Sequence, residues 1–217
     1  MMMTQEEIIK IVSSIFALAI AIIGHEIMHG YIAYRYGDDT AKRAGRLSIN
    51  PIVHVDPVGT ILIPAILYFT HAPFLFGWAK PVPVNINRVI HNGGYNGAIA
   101  VALAGVTFNF ILAALLAVIL PLFVEPESYT ALFFGYFIVQ GIIINVVLGV
   151  FNLWPIPPLD GSQVVLYLAQ KLRWHSLAEA YEKIYPYGMF ILFGILFIPQ
   201  LSSILFAPAS WILKILL

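Results

Sequence analysis

The 217-residue chain contains no cysteine. Disulfides, thiolate nucleophiles and cysteine-ligated zinc are therefore excluded, and any metal site must be built from histidine and carboxylate. Charge is scarce too: 10% of residues are charged, with eleven basic and eleven acidic side chains in balance, against a charged fraction of about 25% in soluble proteins. Without a basic surplus there is no surface for nucleic-acid phosphates. No long polar stretch, low-complexity tail or internal repeat interrupts the chain. A single membrane-embedded domain over residues 1–217 is expected, without an appended soluble domain. No basic segment precedes the first apolar run and no small-residue cleavage site precedes His25-Glu26, so the first helix is expected to be retained.

What the chain does have is apolar surface. Hydrophobic residues make up 60% of it, which places it in a lipid bilayer. A bilayer core takes ~20 apolar residues per helix. Residues 8–34, 97–123 and 131–151 each qualify, and a tail over 187–217, broken up by Pro199 and Pro208, holds one or two more spans. The run from Val58 to Phe69 is short and carries Pro64, which disfavours a regular helix. The expected fold is an all-α polytopic membrane protein of about five to six transmembrane helices, with a small re-entrant or β element between the first helix and the next full span. Basic residues mark the cytoplasmic side. Arg35, Lys42, Arg43 and Arg46, then Lys80 and Arg88, then Lys171, Arg173 and Lys183 fall on one side, whereas the loop holding Glu125 and Glu127 has no basic residue and is expected outside.

Within the first apolar segment stands His25-Glu26-Ile27-Met28-His29, an HExxH motif. Helical residues four apart share a face, so both imidazoles can reach one zinc ion while Glu26 addresses the water that the metal activates. Ionisable groups at membrane depth are costly and usually face a protein interior or a water-filled cavity, which makes these three a functional site by default. A catalytic zinc generally takes three protein ligands. Asp160 is the best third candidate, because it lies at the inner end of the third long helix, at the depth expected for the histidines. Pro155, Pro157 and Pro158 should unwind the chain before it, and Gly161 permits a turn beside the carboxylate. Asp56 is the rival.

Three stretches together, HExxH in the first helix, Ala104-Gly105-Val106-Thr107-Phe108-Asn109 in the next, and Phe151-Asn152-Leu-Trp-Pro-Ile-Pro-Pro-Leu-Asp160-Gly161-Ser162 after the third, resemble the site-2 protease family of intramembrane zinc metalloproteases. The segment from Phe76 to Asn85 resembles the short members that lack extra soluble domains. The likeness covers roughly residues 8–171. Leu153 stands where many relatives have proline, and no helix precedes the one bearing HExxH.

The resemblance implies a zinc endopeptidase of regulated intramembrane proteolysis, cutting peptide bonds in or beside a transmembrane substrate. His25, His29 and Asp160 would hold one zinc ion, and Glu26 would act as general base and then pass the proton to the leaving amine. Asn109 matches the polar residue of the family's Gly-x-x-x-Asn motif and would contact the substrate carbonyl or the oxyanion. Asn152 either bonds backbone freed by the prolines or holds Asp160 in place. An edge strand around Pro83 to Ile86, with Val84 and Asn85 as its test positions, would take up the unwound substrate by strand addition. The compact chain points to a prokaryotic cytoplasmic membrane, with the site towards the cytoplasm.

Blander readings exist for each feature. Asp160 would serve as an N-cap. The Gly105/Asn109 stripe and the Gly141/Asn145/Gly149 stripe would be close helix packing, the favoured reading for the latter. His54, His71, His91 and His175 have no partner at ligand spacing. A membrane metal-ion carrier or transporter using the same His, Glu and Asp groups remains the alternative function. A di-metal desaturase would need more than six scattered histidines.

Overall fold

The computed structural model describes residues 3–72, 76–123 and 128–217. The acidic loop at Glu125 and Glu127 lies outside them. Helix α1 (Gln5–Arg35) starts at a capping box, in which the Thr4 hydroxyl accepts from the Glu7 N–H and the Glu7 carboxylate accepts from the Thr4 N–H. Such reciprocal capping satisfies two otherwise orphaned donors. A short α2 (Thr40–Arg43) follows, then a 3-10 turn over Pro51–His54. A π-helical stretch, Pro57–Leu62, runs on into α3 (Ile63–Phe69). The long α4 (Ile86–Ile119) bends at Gly94, whose φ of 60° only glycine adopts without strain. Helices α5 (Tyr129–Leu153), α6 (Asp160–Lys171), α7 (His175–Ile184), α8 (Gly188–Phe197) and α9 (Pro199–Leu216) complete the chain.

Three helices, α1, α4 with its short extension to Phe123, and α5, are long and apolar enough to cross a membrane. A fourth crossing exists if α7–α8 and α9, which meet at 93°, make one bent span. The chain is an integral membrane protein, with three or four candidate spans by length and composition among the described residues, where five to six were expected. The tail falls short because Pro199 starts a new helix at a sharp angle instead of continuing the old one.

Among the described residues there is no β-strand, so the expected β element is absent as regular structure. The Val58 to Phe69 run is also helical, contrary to expectation. Pro64 is harmless there because it sits at the junction of the π and α stretches, in the first turn of α3, where a helix tolerates a missing N–H. The chain then comes back alongside: the Trp78 N–H donates to Gly59 O at 3.1 Å and the Lys80 N–H to His54 O at 2.8 Å.

Helices α1, α4 and α5 pack mutually, with α6 against α4 and α9 against α5. Gly24 and Gly105 let α1 and α4 approach: a Cβ on Gly24 would sit 2.1 Å from the Phe108 ring. Small residues at such crossings are the usual way helices associate in lipid, where no hydrophobic force draws them together. Several basic groups meet polar partners near the C-terminal end of α1 and the start of α4, whereas Lys10 lies near the other end of α1, over the Tyr136 ring. Arg88 and Arg43 both pair with Asp39, Arg46 donates to Lys80 O, and Lys171 donates to Asn96 beside the bend in α4.

Candidate metal centre

One turn and a bit of α1 carries both imidazoles. Their Nε2 atoms lie 3.1 Å apart, and Asp160 Oδ2 lies 3.2 Å from that of His25 and 3.3 Å from that of His29. Among the described residues this is the one grouping of three or more His, Asp or Glu side chains whose donor atoms converge. A tetrahedral ion with bonds of ~2.0–2.1 Å spaces its ligand atoms about 3.3–3.4 Å apart, so the triangle already has the right edge.

The hydrogen bonds on the far side of each ring define its tautomer. His29 Nδ1 lies 2.7 Å from Val101 O, a backbone carbonyl that only accepts, so Nδ1 carries the proton and Nε2 presents a lone pair. His25 Nδ1 lies 2.6 Å from Asn109 Oδ1. Asn109 presents its oxygen there because its amide nitrogen donates to Asn145 Oδ1 at 2.8 Å and to Ala21 O at 3.3 Å. Asn145 presents its oxygen in turn because its nitrogen donates to Gly141 O at 2.8 Å. The relay thus runs from a backbone carbonyl of α5, through two asparagines, to α1. With both rings neutral it leaves both Nε2 atoms as acceptors facing the carboxylate, whose buried Oδ2 lies 3.2 and 3.3 Å from them. Three acceptors meeting in a buried space repel one another unless a cation lies between them. A proton links only two of them; a divalent metal ion serves all three.

Asp160 reaches this point because the proline-rich loop 154–159 ends α5 at Leu153 and α6 begins at the aspartate itself. It accepts no hydrogen bond from the helix backbone, so it is not serving as an N-cap. Gly161 is needed for a different reason from the turn expected of it: a Cβ there would lie 2.1 Å from Leu153 O, so only glycine lets α6 start against the end of α5. The expected rival Asp56 caps the Pro57–Leu62 stretch instead, accepting from the Val58 and Gly59 N–H groups. His54 faces the Ser48 carbonyl with Nε2, away from this cluster.

The cluster opens on a cavity of about 660 Å³ whose wall includes Glu26, Trp78, Val82, Val84, Asn152 and Leu192. Glu26 Oε2 accepts the Val82 N–H at 2.8 Å, which fixes the carboxylate at the cavity edge beside the extended segment 79–85.

Three expected site residues have partners that the sequence did not show. Asn109 is fully buried, with its amide oxygen on His25 Nδ1 and its nitrogen on Asn145 Oδ1. Asn85 is no part of a free edge: its N–H donates to the buried Asp38 carboxylate at 2.6 Å, and its side chain caps α4. Asn152 donates to Leu148 O one turn back, so it does not hold Asp160. Asn145 and Gly105, read from sequence as packing residues, both belong to the site. A Cβ on Gly105 would lie 2.5 Å from the His25 ring. Their sequence signals are the shared faces: Gly105 with Asn109 on α4, and Asn145 with Gly141 and Gly149 on α5.

Comparison with known proteins agrees with this geometry. The family model for peptidase family M50 matches residues 127–196, a stretch that includes Asn145 and Asp160. The chain is 36% identical over 198 residues to "Putative zinc metalloprotease YwhC" of Bacillus subtilis (strain 168), covering 89% of this chain and 84% of that one. It is 27% identical over 187 residues to "Putative zinc metalloprotease Rip2" of Mycolicibacterium smegmatis, covering 86% and 67%. No solved structure matches significantly. With zinc as the cation that its buried triad of acceptors calls for, the chain belongs to peptidase family M50, the site-2 type membrane metalloproteases.

Proposed function

We propose that the protein is an intramembrane zinc endopeptidase, one membrane domain that hydrolyses peptide bonds in or beside the transmembrane segments of other membrane proteins. The observation that carries this reading is a three-acceptor cluster and a carboxylate base opening on one cavity between apolar helices. His25, His29 and Asp160 hold the metal. Bound zinc supplies Lewis acidity and lowers the pKa of water to about 7. Glu26 takes the proton from the attacking water as its oxygen bonds to the scissile carbonyl carbon. It then delivers that proton to the amide nitrogen as the C–N bond breaks, so one water is consumed and an acid and an amine leave.

A helical substrate must unwind first, because its carbonyls are tied up in i to i−4 bonds. The segment Lys80 to Val84 suits capture of the unwound strand. Val82 and Val84, two residues apart, share one side of extended backbone. The Val82 N–H faces Glu26, and the Val84 N–H has no partner among the described residues. Pro81 and Pro83 donate nothing on the other side, so pairing is confined to the cavity side. The end of the molecule rich in basic residues faces the cytoplasm of a prokaryotic cell, with the Pro57–Phe69 hairpin re-entering the bilayer from that side.

The carrier reading gains no observation of its own. Transport needs several exchangeable sites, and the described residues converge at one. The test pairs zinc content with cleavage of a transmembrane peptide in detergent. Wild type is expected to bind one zinc and cleave; Glu26→Gln is expected to bind zinc and not cleave. Equal cleavage by both would remove the proposal.

A further inference from the structure

We infer that Asn145 is a positioning residue for the metal centre: it sets which way the Asn109 amide points, and thereby which nitrogen of His25 is free to bind the cation. The inference rests on the reading of His25 as a zinc ligand.

An asparagine amide can face a histidine with either end. With its oxygen towards Nδ1 it accepts a proton there and leaves Nε2 bare; with its nitrogen towards Nδ1 it donates, and the ring proton moves to Nε2, where it blocks metal binding. Asn109 meets three groups: His25 Nδ1 at 2.6 Å, Asn145 Oδ1 at 2.8 Å and Ala21 O at the longer 3.3 Å. Of the two acceptors that hold its nitrogen away from His25, the short one is Asn145. That residue is itself 1% exposed and is oriented by Gly141 O at 2.8 Å. No solvent reaches Asn109, which is 0% exposed, so no water substitutes for a lost partner. Asn145 sits on α5, touches neither the cavity nor the cation site, and acts on α1 through α4. The arrangement extends to a second remove the usual practice of fixing a metal-bound histidine through its other nitrogen.

The experiment compares Asn145→Leu and Asn145→Asp, in the full-length protein in detergent, by zinc affinity in chelator competition and by thermal midpoint. Leucine keeps the branching at Cγ and the number of side-chain heavy atoms, and offers no acceptor. Aspartate offers an acceptor to Asn109 in either protonation state, and when protonated also donates to Gly141 O. Asn145→Leu is expected to bind zinc ~10–100-fold more weakly, and Asn145→Asp is expected to stay within about threefold of wild type. Should the leucine variant not fold, Asn145→Val takes its place. Wild-type zinc affinity in the apolar variant, or equal loss in the apolar and aspartate variants, overturns the inference. His25→Ala runs alongside: if it binds zinc like wild type, the ligand assignment itself has failed, a result distinct from either outcome at position 145.

Discussion

Gly105→Ala adds one methyl group and should disable the metal centre. The new Cβ would lie 2.5 Å from His25 Cε1 and 2.6 Å from Cδ2 and Cγ, where carbon atoms rest at about 3.5–4.0 Å. The ring must therefore retreat by about 1 Å, or α1 and α4 must part by as much. Metal–ligand bonds tolerate only about 0.2 Å, and the 2.6 Å contact with Asn109 that holds the tautomer is lost with the same movement. Zinc affinity is expected to fall by at least ~10–100-fold, and cleavage at saturating zinc by ~100-fold, the usual cost of a 1 Å misplacement. Zinc affinity is read by chelator competition, cleavage on a labelled transmembrane peptide, and folding by thermal midpoint in the same detergent. Gly194→Ala is the matched control, since a Cβ there meets nothing within 4 Å. Wild-type zinc affinity and cleavage in Gly105→Ala would refute the reasoning.

Asp160→Ala should lose tightly bound zinc while leaving α6 in place, because the carboxylate caps nothing; retained stoichiometric zinc would show that the third ligand lies elsewhere. Val84→Pro removes an N–H that has no partner among the described residues and should impair cleavage with zinc affinity unchanged, so undiminished cleavage would dismiss strand addition at that position. Asp38→Ala removes a fully buried carboxylate that accepts from the Asn85 N–H and should cost about 1–3 kcal/mol, read as a lowered thermal midpoint.

Much of this was legible from residue spacing. Helical periodicity alone puts His25 and His29 on one face, and the three prolines before Asp160 mark where α5 must end. Matching depth was enough to favour Asp160 over Asp56. What spacing does not carry is the rotation of one helix about its axis relative to another. Asn109 lies on a helix whose sequence allows it to face the cavity, yet packing turns it behind His25, with Asn145 against it. Asn85 looked like part of an open edge because its partner Asp38 is 47 residues away in sequence, beyond any local pattern. The close approaches that require Gly105 and Gly161 were not legible, because the atoms that exclude a side chain there belong to other segments. The spans of the tail were not countable from sequence for a local reason: hydropathy counts apolar residues but does not register the 93° angle at which α8 meets α9.

The ligands come from positions 25, 29 and 160, and the wall of the cavity extends to Leu192. A ribosome releases the histidines early and the aspartate only after three apolar helices have been threaded into the bilayer. Until then two imidazoles face each other without the third group that a catalytic zinc requires. The cluster is thus a product of assembly: its carboxylate joins the imidazoles only once α1, α4 and α5 have been made.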